Sequence, residues 1–187
     1  MPTTQEVMAE AENRMKKSVQ SLSKDMDSIR TGRASAALVE SIPVEYYGAP
    51  TPLSQVATIS VPESRVIAIQ PWDKTALAAI EKAIMKSDIG ITPRNDGAII
   101  RLTMPPLTQE RRKDLVKVVG KKTEESHVAV RNIRRDALEE IRKMEKDKSL
   151  SQDDSRRSQE QLQKLTDSYI AKLDKIRHDK EAEVMAV

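Results

Sequence analysis

Residues 108–151, TQERRKDLVKVVGKKTEESHVAVRNIRRDALEEIRKMEKDKSLS, decide the fold. Pro105-Pro106 end whatever precedes this stretch, and Thr108 stands where a helix N-cap belongs. Val116, Val119, Thr123, Ser126, Val130, Ile133, Ala137 and Met144 recur by threes and fours, with Ile141 close beside them. That spacing predicts a helix over 109–148 with one narrow apolar seam. Forty residues at 1.5 Å each make a rod about 60 Å long. The middle of the seam is small at Thr123 and Ser126, which leaves room for a close neighbour.

Working outward, Ser151 and Asp154 have N-cap and N3 spacing behind an apolar Leu150. Leu162, Leu165, Tyr169, Leu173, Ile176 and Val184 then mark a helix over 152–184. Its connection to the preceding helix is short, so the two should be antiparallel neighbours. At the other end of the chain, Thr3 and Glu6 have capping-box spacing. Met8, Met15, Leu22 and Ile29, with Ala11, Val19 and Met26, predict a helix over 4–30. None of these stripes can be buried by its helix alone, and an antiparallel three-helix bundle buries all three.

Between the first two helices the texture changes. Eight of the nine prolines lie between Pro43 and Pro106, and four of the five glycines between Gly32 and Gly97. Residues 44–47, 56–61, 65–70 and 98–103 read as strands, the second and third joined through Pro62-Glu63-Ser64. Asp73 can cap a helix over 74–87. The expected architecture is α+β: a bundle domain from 1–30 and 105–187, with a small α/β sandwich inserted at 31–104. The insert would hang on two passages of chain, Arg30, Thr31, Gly32, Arg33 and Met104, Pro105, Pro106, Leu107. Trp72, after Pro71, reads as core or hinge-side packing, and one of Tyr46 and Tyr47 should face outward.

The 187 residues include no Cys, which removes disulfides, thiolate metal sites and thiol nucleophiles. Only 2% are aromatic and 33% are charged, as suits charged helices joined along aliphatic seams. The start, Met1-Pro-Thr-Thr-Gln-Glu6, shows no basic segment followed by an apolar one, and no run is long enough to span a membrane. A soluble, cytoplasmic monomer that does not bind membranes is expected. His127 and His178 are not in metal-ligand spacing and read as surface or seam-edge residues. No phosphate-cradling glycine loop or nucleophile elbow occurs. The reading therefore expects no catalytic residue, no metal, no cofactor and no enzyme.

Charge is unevenly placed. The middle segment has seven basic and seven acidic residues, so the rods, with 25 basic and 22 acidic, hold the whole +3 excess. On the helix over 109–148, Lys113, Lys117, Arg131, Arg135 and Arg142 fall within about 40° of one direction, interrupted by Glu124. Lys121 and Lys122 widen the basic area, and Arg134 lies toward the seam. A charged helix face is ordinarily just a solvated one. The clustering of Arg131, Arg134 and Arg135 tilts that reading toward phosphate, because a guanidinium is a planar fork of donors. If nucleic acid binds here, phosphate contacts on structured RNA are favoured, since the rod has no aromatic platform for stacking single-stranded bases. Two other classes compete. A helical scaffold would expose its apolar stripes, and a hydrolase would need a cleft of converging titratable groups.

Several long motifs resemble the ribosome recycling factor family. They are Ile29-Arg-Thr-Gly-Arg-Ala-Ser35, Val44-Glu-Tyr-Tyr-Gly-Ala-Pro-Thr-Pro-Leu53 and Glu81-Lys-Ala-Ile-Met-Lys-Ser-Asp-Ile-Gly90, followed by Pro105-Pro-Leu-Thr-Gln-Glu-Arg-Arg-Lys-Asp-Leu115, Val128-Ala-Val-Arg-Asn-Ile-Arg-Arg-Asp136 and Asp154-Ser-Arg-Arg-Ser-Gln159. The resemblance covers essentially the whole chain. It implies an L-shaped molecule that binds the large ribosomal subunit after termination and, with elongation factor G and that partner's GTP hydrolysis, splits the subunits and releases mRNA and tRNA. It also implies that Arg131, Arg134 and Arg135 contact ribosomal RNA and that the two chain passages at 30–33 and 104–107 are hinges.

Overall fold

The computed structural model describes residues 1–186. The chain divides into two compact units, Met1–Arg30 with Thr108–Val187, and Thr31–Leu107.

The first unit consists of three long helices. α1 spans Thr4–Asp27 and opens on the complete capping box: the Thr3 hydroxyl accepts from the Glu6 amide, and the Glu6 carboxylate accepts from the Thr3 amide. It stops three residues short of the expected end. The Ser28 hydroxyl takes the Asp25 carbonyl, and the last turn tightens, with the Ile29 amide on the Met26 carbonyl. α3 spans Gln109–Lys146, capped by Thr108, and α4 spans Gln152–Met185, capped by Ser151. Glu145 pairs with Ser155, Arg134 with Gln163 and His127 with Asp174, so numbers fall on α4 as they rise on α3 and the two are antiparallel. Met15, Leu22, Ile141, Leu162 and Leu173 are fully buried at the seam, and α1 closes on both partners. Its Arg14 pairs with Asp136 of α3, and its Glu12 accepts from the Tyr169 hydroxyl of α4.

The centre of the α3–α4 seam carries hydroxyls rather than large side chains. Thr123 donates to the Val119 carbonyl and Thr166 to the Leu162 carbonyl, each at 2.8 Å, so both polar atoms are buried without loss of a partner. Gly120 sits against the guanidinium of Arg177, which lies 3.4 Å from where a Cβ would be.

The turn between α3 and α4 closes on an unusual residue. Lys148 has a φ of 60°, the left-handed region, with its amide on the Glu145 carbonyl and the Ser149 amide on the Met144 carbonyl. This is the bonding pattern that ends many helices, with lysine where glycine usually stands.

In the second unit, β1 (Pro43–Tyr46) and β2 (Ala49–Pro52) form a separate hairpin. Its two-residue turn places both Tyr47 (φ 49°) and Gly48 (φ 76°) in the left-handed region, which matches the strands' twist. β3 (Ala57–Glu63), β4 (Val66–Pro71), β5 (Arg94–Asn95) and β6 (Ile100–Thr103) form an antiparallel sheet ordered β3-β4-β6-β5. α2 (Leu77–Lys86) adds Ile80 and Ile84 to a core of Val39, Val44, Leu53, Ile67, Ile69, Ile100 and Leu102. One turn of 3-10 helix, Lys74–Ala76, precedes α2, and Asp73 caps that turn. Hydrogen bonds from the Thr75 hydroxyl and amide hold the Asp73 carboxyl below its ordinary pKa.

Four expectations need correction here. The β3–β4 loop is Ser64-Arg65, because Glu63 pairs with Val66; Pro62, which has no amide to donate, lies in a bulge of β3. Tyr47 belongs to a turn rather than a strand and is 83% exposed. Trp72 is not core: it is 68% exposed, with its indole N–H on the Thr58 hydroxyl at 2.8 Å. Residues 105–107 belong with the inserted unit, where Leu107 packs beside Gly32.

Replacing Lys148 by glycine relieves the left-handed strain and should stabilise the helical unit by about 0.5–1 kcal/mol. Thermal unfolding checks this, as a rise in the midpoint of that unit.

Candidate nucleic-acid interface

A helix can bury only the stripe it turns toward its neighbours, and α3 turns Leu115, Val119, Thr123, His127, Val130, Ile133, Ala137 and Ile141 inward. The opposite side carries the charges. Lys113, Lys117, Lys121, Arg131 and Arg135 are exposed there, while half-buried Arg134 lies toward the seam and half-buried Lys122 lies about 180° around the helix from Lys113 and Arg131. From Lys113 to Arg135 this face runs about 33 Å along the helix. Among the described residues, Lys113, Lys117, Lys121, Lys122 and Arg135 form no ion pair, so their ammonium and guanidinium groups are available to an external anion.

The remaining two arginines are held by neighbours. Arg131 Nη1 lies 3.5 Å from Glu124, the acid that interrupts the basic sector. Arg134 Nη1 donates to the Gln163 amide oxygen at 2.8 Å, across the seam. Both arrangements come from helix geometry. Glu124 lies two turns before Arg131 on one face, and α4 runs alongside the edge that carries Arg134.

His127 joins the same network. Its Nε2 meets Asp174 of α4 at 2.8 Å, and its Nδ1 lies 3.5 Å from Glu124. It is buried at the seam's edge, as its spacing suggests. Arg177 of α4 bonds Glu181 at 2.8 Å, and this partner, with Asp174 and Glu124 nearby, favours its charged form. Asp136, beside Arg135, turns its charge to Arg14 of α1 at 3.0 Å, away from the basic track. Sequence reasoning misses Gln163 and Asp174, since each acquires its role from a residue on another helix at least 29 positions away.

The apolar seams are covered. The large apolar residues left exposed on α3, Val118 and Val128, are ten positions apart and form no stripe. The scaffold reading, which needs open stripes, loses its support. No helix among the described residues is long and apolar enough to cross a membrane.

Within the inserted unit, the two chain passages meet at Gly32. Gly32 has a φ of 77°, and a Cβ there would stand 3.3 Å from the Leu107 side chain and 3.5 Å from the Pro105 carbonyl. The Met104 amide bonds the Arg65 carbonyl at 2.7 Å, and the Ala34 amide bonds the Ser64 carbonyl at 2.8 Å. Both passages are thereby tied to the β3–β4 loop.

Glu124 is the one acid in the basic sector and pairs with Arg131, so E124Q should hold an anionic polymer more tightly. On a heparin column the variant is expected to elute at higher salt than the parent protein. Elution at the same or lower salt would show that Glu124 does not shield Arg131.

Comparison with known proteins agrees with the motifs. A family model described as ribosome recycling factor matches residues 22–185. The ribosome-recycling factor of Oleidesulfovibrio alaskensis is 58% identical over 181 residues, covering 97% of this chain and 98% of that protein. That of Brevibacillus brevis is 56% identical over 187 residues, the full length of both chains. A solution structure of a ribosome recycling factor is 47% identical, covers both chains completely and superposes with a TM-score of 0.72. A second solved structure, 46% identical with a TM-score of 0.62 over 99% of this chain and 100% of that one, comes from models of the T. thermophilus ribosome recycling factor and the E. coli elongation factor G bound to the E. coli post-termination complex. The charged track on α3 and the two-unit fold thus sit in a chain that belongs to the ribosome recycling factor family.

Proposed function

We propose that α3 docks this chain on ribosomal RNA of the large subunit through phosphate contacts by Arg131, Arg134 and Arg135, with Lys113, Lys117 and Lys121 extending the track and Lys122 adding charge on the helix's other side. The observation that carries this reading is the basic face of α3, on which only Arg131 is ion-paired among the described residues, opposite the buried seam of the same helix. Family membership supplies the setting: a factor, not itself an enzyme, that acts in recycling the ribosome after termination. The matched structure bound to a post-termination complex with elongation factor G supports that same partner here, with GTP hydrolysis done by the partner. A cytoplasmic location follows from the same assignment.

The mechanism has three steps. The helical unit binds by its basic face. The inserted unit turns on the passages Arg30, Thr31, Gly32, Arg33 and Met104, Pro105, Pro106, Leu107 when the GTPase presses on it. The stiff helices then carry that displacement to the subunit interface, the subunits part, and mRNA and tRNA are released. Gly32 supports the hinge role, since it holds a left-handed φ with Leu107 and Pro105 packed against it.

Sedimentation with purified large subunits at several salt concentrations tests the docking. The R131A/R134A/R135A protein is expected to bind more weakly, with the slope of log affinity against log salt reduced by roughly 2 to 3. Unchanged binding by this triple variant would remove the docking claim. The chain has no Cys, so one cysteine placed in each unit allows a selective crosslink. The crosslinked protein should bind subunits within about twofold of the parent yet fail to split ribosomes, as light scattering would show. Full splitting activity after crosslinking would exclude the hinge.

A further inference from the structure

Arg134 differs from its two neighbours in how it is held. Arg131 is paired at 3.5 Å with an exposed acid, and Arg135 forms no ion pair among the described residues. Arg134 is half-buried, its Nη1 donating to the Gln163 oxygen at 2.8 Å. Its Nε is shielded from solvent and meets no acceptor among the described residues. The outward bonding of this guanidinium is therefore confined to its Nη atoms, and their direction is set by one contact.

That contact is itself fixed. Gln163 has an oxygen that accepts and a nitrogen that donates, and a flipped amide would turn the nitrogen toward Arg134 and repel it. The Gln163 nitrogen donates to Asp167 Oδ1 at 2.9 Å, one turn further along α4. A carboxylate only accepts, so Asp167 dictates which end of the amide faces α3. The relay Asp167 to Gln163 to Arg134 leaves the arginine with its full positive charge, because its partner is a neutral oxygen. A carboxylate at position 163 would orient the guanidinium equally well and cancel the charge that phosphate reads.

We infer that Gln163 and Asp167 are positioning residues that hold the Arg134 guanidinium outward for a phosphate of the RNA. The inference rests on the reading of Arg134 as an RNA contact. Neither residue carries positive charge or needs to touch the RNA. They act by removing rotamer freedom from Arg134 before it binds, which lessens the entropy lost on contact.

Two measurements on the full chain test this. In the free protein, the Nε–Hε signal of Arg134 is assigned by its absence in R134A. Its order parameter should fall in Q163A and in D167N, with the unfolding midpoint little changed. An unaltered order parameter would overturn the relay whatever the RNA binding shows. In sedimentation with purified large subunits, Q163A should weaken binding about threefold to tenfold, the scale of a single hydrogen bond. D167N should weaken it in the same direction. The same Q163A change made in R134A should have almost no further effect, and Q163A alone should leave the salt slope unchanged, whereas R134A lowers it by about 1. Equal losses in both backgrounds would mean that Gln163 serves only the helix seam, and the inference falls. If R134A binds as well as the parent, the RNA reading of Arg134 fails, and the signal of the free protein still decides the relay.

Discussion

A long helix has one stripe to bury and the rest of its circumference to leave in water, and the organisation of this chain follows from that constraint. α3 commits Val119, Thr123, Val130, Ile133 and Ile141 to its neighbours. Because the stripe is narrow, almost everything opposite it is free to be charged, and the charges there are mostly basic. The seam and the candidate interface are two sides of one periodicity. Thr123 and Thr166 make the arrangement possible at its centre. Each returns its hydroxyl to its own helix, so α3 and α4 meet there over small side chains whose hydroxyls are both partnered.

The inserted unit solves a different problem. Its sheet and hairpin are stabilised by short apolar strands closing over α2 rather than by repeated heptads. Its charge is balanced, seven against seven, while the helical unit holds the excess. The exposed Tyr47 and Trp72, with Tyr46 edge-on to Tyr47, make this unit the location of most of the chain's few aromatics. Tyr46 and Tyr47 both direct their hydroxyls to Asp73, at 3.4 and 3.5 Å, and partial burial with this neighbouring charge raises the Tyr46 pKa.

What was legible in the sequence was whatever depends on residues close along the chain. Thr3 with Glu6, Thr108 and Ser151 cap their helices as their spacing implies, because a cap is settled within four residues. Most seam residues were legible because a stripe repeats, though its edges shift by a residue: Leu115 and Thr166 are buried where Val116 and Leu165 are only half-buried. β2 was not, since Pro50 and Pro52 in four residues argue against a strand; they fit here because the hairpin ladder has no further partner. The two-residue β5 was too short to show a period. Trp72 and Leu107 were misplaced because exposure and packing depend on how distant segments meet. In the candidate interface, the basic positions were readable from helix angle alone. The partners that shape it were not: Gln163 reaches Arg134 and Asp174 reaches His127 only once the register of α3 on α4 is fixed.

That register sets how the rods could change length. One residue added to α3 between Lys122 and His127 would swing the three arginines by about 100° relative to the lysines before them and disturb the pairing of His127 with Asp174. Seven residues would return every side chain to within about 20° of its former direction. In such a molecule, insertions and deletions along α3 and α4 are survivable in whole heptads matched on both helices. Single-residue changes are confined to the turn at Asp147–Ser151, where no stripe has to be kept in phase.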